Sequence, residues 1–152
     1  MRYRIVAVGK LRRNFYRLGC AHFTERLAGL APVEVIEVRE SRFADAGRSR
    51  EEEAKLLLAQ ARGRIVALDE RGQSFTSTEL ARHLGELEVR GESSLTVLVG
   101  GAEGLHPSVR AQAAESWSLS PLTFPHDLAR LVLLEQLYRV ESIRANHPYH
   151  RE

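Results

Sequence analysis

Three stretches in the last third of the chain hold residue types that could do chemistry. The first is Gly100-Gly101-Ala102-Glu103-Gly104, directly after the apolar run Leu95 to Val99. Glycines after a strand let backbone N–H groups approach a ligand that a Cβ would block. No Gly-Lys-Ser/Thr follows, so this is not a Walker loop. The spacing, G-G-x-x-G on a late strand with no acid placed for a ribose, is a poor dinucleotide fingerprint. A tight turn without a ligand is the competing reading.

The second stretch is Leu119-Ser120-Pro121-Leu122-Thr123-Phe124-Pro125-His126-Asp127. Two prolines fix the backbone of a loop that leaves one strand and enters a helix. Such a loop can present carbonyls and N–H groups to an adenine edge, with Leu122 and Phe124 as apolar walls. Ser118, Ser120, His126 and Asp127 invite comparison with hydrolases. There is no G-x-S-x-G elbow, however, and His126 stands at a helix start, where capping or packing is its ordinary work. The third stretch is the tail Asn146-His147-Pro148-Tyr149-His150-Arg151. Its aromatic and cationic groups suit stacking on a base and pairing with phosphates; a disordered tail is the alternative. The six histidines show no metal-ligand spacing.

The elements that must carry these stretches follow from hydrophobic period. Tyr3–Val8, Val33–Val38, Arg64–Leu68, Leu95–Val99 and Ser116–Ser120 read as strands. Helices are expected over Phe15–Leu30, from a Ser49/Glu52 capping box to about Ala61, from Thr76-Ser77 to about Leu87, over His106–Ala114 behind Pro107, and from Asp127 onward. Ser41–Arg50 reads as a polar loop, and Asp69–Gln73 as a turn with Gly72 as its permissive residue. Strands and helices alternate throughout, which specifies an α/β fold with a largely parallel sheet in one domain spanning 1–152. The last helix is apolar nearly all round, from Leu128 through Leu131, Val132, Leu133, Leu134, Leu137, Tyr138 and Val140 to Ile143. An all-round apolar helix needs cover on more than one side. A second subunit supplies it in the reading preferred here, a homodimer; burial within one chain is the other.

Composition narrows the classes. With 43% hydrophobic and 28% charged residues over 152 positions, the chain can bury a substantial core. No apolar run approaches the length of a membrane span, and the opening MRYRIVAVGK has too short an apolar core for a signal peptide. The single cysteine, Cys20, excludes an internal disulfide, reads as a packed thiol, and fits a reducing, cytoplasmic setting. Net charge is +2, but six basic residues precede the first acid, Glu25. Lys10, Arg12, Arg13 and Arg17 could therefore hold nucleic-acid phosphates, or form a solvated surface.

Together RIVALD, LVGGAEGL, SWSLSPLTFPHDLARLVLLEQLYR, NHPYHRE and the opening VAVGK resemble the RlmH family of SPOUT-class methyltransferases over essentially the whole chain. The resemblance implies a C-terminal trefoil knot, a homodimer, S-adenosylmethionine as methyl donor without a metal, and methylation of N3 of a pseudouridine in 23S ribosomal RNA of the assembled ribosome. Carried over by motif, the donor site comprises Leu68, Gly101, Pro121, Leu122, Thr123, Phe124, Pro125 and His126. Tyr149, His150 and Arg151, reaching in from the partner, are the implied catalytic residues, and Lys10, Arg12, Arg13 and Arg17 the implied rRNA contacts. Where relatives often have a small residue, this chain has Pro121. Two rivals of other kinds stand beside it: a SPOUT relative acting on transfer RNA, and a non-catalytic RNA- or nucleotide-binding α/β module.

Overall fold

The computed structural model describes residues 1–151, the last by its backbone alone. The chain runs β1 (Arg2–Val8), α1 (Asn14–Ala28), β2 (Val33–Val38), α2 (Ala46–Ala59), β3 (Arg64–Ser74), α3 (Ser77–Val89), β4 (Ser94–Val99), α4 (Pro107–Gln112), β5 (Glu115–Ser118) and α5 (His126–Arg144), then a 3₁₀ turn at Pro148–Arg151. The five strands form one sheet in the order β2-β1-β4-β3-β5, every pairing parallel. Parallel neighbours need crossovers, which the helices supply, and those helices cover both faces.

The strand period of two divides the core accordingly. Tyr3, Ile5 and Ala7 of β1, Val66 of β3, and Leu95, Val97 and Val99 of β4 face α1, α3 and α5. Val6, Val8, Ala67 and Leu98 face α2 and α4, through Ala54, Leu57 and Val109. β4 is buried from Leu95 to Val99, as its unbroken apolar run requires. α3 starts where expected, held by a reciprocal capping box of Thr76 and Glu79, and Pro107 takes the first turn of α4 as expected.

Four expectations need correction. α2 does not begin at Ser49: Asp45 caps it by accepting from the Gly47 N–H, so residues from Ala46 onward are helical rather than loop. Ser49 is buried inside the helix, where its hydroxyl accepts from the Phe43 N–H at 2.9 Å. The turn at Asp69–Gln73 lies within a single long β3, as a bulge: Leu68 and Gln73 both pair with Trp117 of β5. Gly72 is required there by close approach, since a Cβ on it would lie 2.6 Å from the Ser116 carbonyl carbon. Finally, Phe15 and Leu18 of α1, placed on its apolar stripe, stay exposed at 57% and 70%.

α5 is covered along one side by the sheet, α1 and α3; Leu133, Leu134, Leu137 and Val140 are fully enclosed, whereas Leu128, Leu131 and Val132 are only half-buried. Its first turns are fixed by Arg130, whose guanidinium is buried and donates to Glu37 Oε2 at 2.6 Å and to the Gly9 carbonyl at 2.9 Å. That clamp ties α5 to the carboxyl ends of β1 and β2.

Candidate functional site

Because all five strands run parallel, the loops leaving their carboxyl ends lie along one edge of the sheet, the edge where α/β folds bind ligands. A cavity of about 850 Å³ opens there, between the ends of β3 and β4 and the loop joining β5 to α5. Three chain segments make most of its wall, and Arg50 of α2 adds to it. Leu68 and the Asp69–Arg71 bulge of β3 form one side, Val99 through Leu105 the floor, and residues 119–120 and 122–126 with Ala129 the other side.

The glycines of the floor are demanded by packing. A Cβ on Gly100 would sit 2.8 Å from the backbone of Gly104, and one on Gly101 would meet Val8 Cγ1 at 3.0 Å. Gly104, at φ +79°, closes the turn by donating its N–H to the Gly101 carbonyl at 3.0 Å. Only a bare backbone can run between β1 beneath and the cavity above.

The β5–α5 loop is set by its own serines. The Ser118 hydroxyl donates to the Ser120 carbonyl at 3.0 Å, and the Ser120 hydroxyl accepts from the Leu122 N–H at 3.0 Å. Thr123 then donates to Glu70 Oε2 at 3.0 Å, linking this loop to the β3 bulge. The bulge is braced by Asp69, which accepts from the backbone and side chain of Arg71 and lies 3.5 Å from Arg110. Burial alone would raise the Asp69 carboxyl, but Arg71 and Arg110 outweigh it and hold the group below the ordinary carboxylate range. His126 does not cap α5; its imidazole lies on the cavity with Nε2 3.2 Å from Asp127 Oδ1.

Seven of the eight residues assigned to the donor site from sequence, namely Leu68, Gly101, Leu122, Thr123, Phe124, Pro125 and His126, line this one cavity. Pro121 does not; it is exposed at the outer bend of the loop. Two residues on α2 were missed. Arg50 lines the cavity, and Glu53, 5% exposed, places Oε1 3.7 Å from where a Gly101 Cβ would stand. Glu53 Oε2 accepts from the Ser41 N–H at 3.1 Å, whereas Oε1, like Arg50 Nε, has no partner among the described residues. Burial pushes the Glu53 carboxyl up, the Ser41 N–H opposes it, Glu40 and Glu103 add to it, and His126 opposes it. Two charges three apart on a helix ordinarily mark a mutual ion pair, so the sequence carried no signal of their placement.

Among the described residues, none of the tail lines the cavity of its own chain. Tyr149 packs on Tyr138 of α5 at 4.4 Å between ring centroids, donates to Glu135 Oε1 at 3.0 Å, and carries Arg139 over its face at 5.0 Å. Burial and then Glu135 raise its phenol above the usual value, so it stays protonated. His150 Nδ1 is buried without a partner among the described residues, and the side chain of Arg151 lies outside them. Lys10, Arg12, Arg13 and Arg17 are exposed. Lys10, Arg12 and Arg13 occupy the β1–α1 loop on the cavity's edge of the sheet; Arg17 follows on α1 and pairs with Asn14. Arg12 is 3.8 Å from Glu40. Cys20 is buried and its thiol is pushed up to about 11 by burial, so it is a packed residue. No described helix is long and apolar enough to cross a membrane.

Residues 1–150 match the family model described as "Predicted SPOUT methyltransferase". The chain is 45% identical to the Ribosomal RNA large subunit methyltransferase H of Gloeobacter violaceus, covering 99% of each chain. It is 42% identical to the protein of the same name from Alkalilimnicola ehrlichii, again over 99% of both. Among solved structures, a probable methyltransferase from Bordetella pertussis Tohama I superposes with a TM-score of 0.55 at 14% identity, over 92% of this chain and 96% of that one. That last likeness is one of fold.

Proposed function

The chain belongs to the SPOUT methyltransferase family, and from that premise we propose that it methylates N3 of a pseudouridine in 23S ribosomal RNA of the assembled ribosome. In this reading the donor is S-adenosylmethionine, the C-terminal part is threaded as a trefoil knot, and the active unit is a homodimer in the cytoplasm. The observation that carries it is the cavity itself, walled by the segments through which the chain resembles relatives of its own length.

The cavity fits the donor. Its volume lies in the range that small-molecule sites occupy. Leu68, Leu122 and Phe124 offer apolar walls to a nucleoside, and the backbone around Gly101 is bare where a Cβ would collide with Val8. When bound, S-adenosylmethionine supplies an electrophilic methyl carbon on a sulfonium, which leaves as a neutral thioether. The chain's residues have the remaining work. The Pro121–Pro125 loop, stiffened by its prolines and the Ser120 turn, orients the donor with little reorganisation. The Thr123–Glu70 bond ties this loop to the β3 bulge across the cavity.

N3 of a uracil-type ring is a weak acid, so its proton must leave as the N–C bond forms. The partner's His150 is the group proposed to take it. Its Nδ1 has no hydrogen-bond partner among the described residues, while Tyr149, fixed to Glu135, serves as a stacking platform. Arg151 of the partner subunit would steady the developing anion. The half-buried face of α5 and the exposed Phe15 and Leu18 suit a second copy, and Lys10, Arg12, Arg13 and Arg17 would meet rRNA phosphates at the rim.

Mixing two crippled protomers tests the arrangement. One carries Gly101→Leu, the other lacks residues from Tyr149 onward; each alone is expected to be inactive on ribosomes. The mixture, after subunit exchange, should regain roughly a quarter of the wild-type rate, because about half of the dimers are hybrid and each holds one complete site of two. No recovery from a mixture shown to contain hybrid dimers would place donor pocket and tail in the same chain and refute the proposal.

A further inference from the structure

On α2, one helical turn apart and on the same side, stand two buried ionic atoms with no partner among the described residues: Arg50 Nε and Glu53 Oε1. Buried polar atoms in folded proteins are almost always hydrogen-bonded, so two unbonded ones, on groups of opposite sign beside one cavity, call for an explanation. They are not paired with each other, although a spacing of three would allow it. Arg50 lines the cavity directly. Glu53 stands behind the wall formed by Gly101, where no side chain intervenes. Ser41 fixes its other oxygen, which holds the carboxylate in place rather than letting it swing to solvent. The cavity thus has an apolar region, at Leu122 and Phe124, a charged wall at Asp69, Glu70 and Arg71 whose groups are bonded to one another or to the β5–α5 loop, and a charged side at α2 where Arg50 Nε and Glu53 Oε1 have no such partner among the described residues.

We propose that Arg50 and Glu53 are the pocket's recognition pair for the zwitterionic amino-acid end of the methyl donor. Arg50 pairs with the ligand's α-carboxylate. Glu53 is a positioning residue, whose negative charge behind Gly101 favours the α-ammonium on that side. The assignment rests on the reading of the cavity as a donor site and adds the orientation of the ligand within it: nucleoside toward the β5–α5 loop, amino-acid end toward α2. Charges of both signs are needed, because a single cation would draw any anion into the cavity.

The test compares two ligands by calorimetry on the full-length protein. S-adenosylhomocysteine has the amino-acid end; 5′-methylthioadenosine keeps the nucleoside and sulfur but lacks it. Wild type should bind the first at least tenfold more tightly. Arg50→Gln should remove most of that advantage. Glu53→Gln keeps the acceptor for Ser41 and should lower the advantage by about tenfold, since it removes the negative charge that favours the ammonium. Binding of 5′-methylthioadenosine should be unchanged in both variants, which shows an intact pocket. If both variants keep the wild-type advantage, or lose both ligands together, the pair has no recognition role. If wild type binds neither ligand, the donor-site reading fails and this inference falls with it. A wild type that binds both equally overturns only the inference.

Discussion

Replacing Gly100 by alanine is the sharpest perturbation of the site. Its Cβ would lie 2.8 and 2.9 Å from the carbonyl carbon and oxygen of Gly104 and 3.1 Å from the Leu105 nitrogen, all backbone atoms. Ordinary contact begins at 3.4 Å, so the turn must shift by roughly 0.6 Å, with no flexible side chain to absorb it. Overpacking of this kind costs about 1–3 kcal/mol. The displaced segment, Gly100–Gly104, is the cavity floor, so much of that cost falls on ligand binding. The expected result is a weakening of S-adenosylmethionine affinity by about ten- to a hundredfold, measured by calorimetry, with a cooperative melt only a few degrees lower. Gly85→Ala is the control: a Cβ there meets nothing within 4 Å, in the middle of α3. It should stabilise the protein by about 0.5–1 kcal/mol and leave binding alone. Wild-type affinity in Gly100→Ala would refute the claim that this turn must be bare backbone to hold the donor.

Three other expectations follow from the same structure. His150→Ala should reduce methylation of ribosomes by at least about a hundredfold while sparing donor affinity; unchanged turnover would remove the tail from catalysis. Charge reversal at Lys10, Arg12, Arg13 and Arg17 should raise the KM for ribosomes by more than about tenfold and flatten its salt dependence, with donor binding unaffected; an unaltered salt slope would mean that rRNA contacts lie elsewhere. Glu115, bonded by the Trp117 indole and by Arg64 and His83, gives the pH prediction. Burial would raise its carboxyl, but these bonds outweigh it, so the folded group titrates below the ordinary range. Its contribution is therefore fully present above the unfolded carboxylate's range and is lost as pH falls through the lower, folded value. Glu115→Gln should cost about 2 kcal/mol at neutral pH and show a shallower loss of melting temperature from about pH 5 to about pH 3; identical acid profiles would contradict this.

The alternation of strands and helices, the buried β4 and the first turns of α3 and α4 were legible because each is written in local period or capping chemistry. Most of the cavity wall was legible too, since glycines after a strand and a proline-bounded loop before a helix are local patterns. What was hidden depends on neighbours. Gly72 looks like a turn residue, but its reason is the backbone of β5, paired with a strand that resumes after the bulge. Ser49 imitates a cap, yet Asp45 lies four residues earlier with its carboxylate on the Gly47 N–H. Phe15 and Leu18 keep the helical period of a core face, but their end of α1 is left uncovered by this chain. Glu53 sits in the charged run Glu51 to Glu53, where composition suggests water, and only the packing of α2 under Gly101 turns it inward.

The central claim concerns one nitrogen of one nucleoside, and the most direct measurement is to follow labelled methyl from S-adenosylmethionine into intact ribosomes purified from cells lacking this protein, then to identify the modified nucleoside by mass spectrometry. Label in 23S rRNA, recovered as N3-methylpseudouridine, is the predicted result. Label recovered in transfer RNA, or in a different nucleoside of the ribosome, would keep the methyltransferase and contradict the substrate proposed for it.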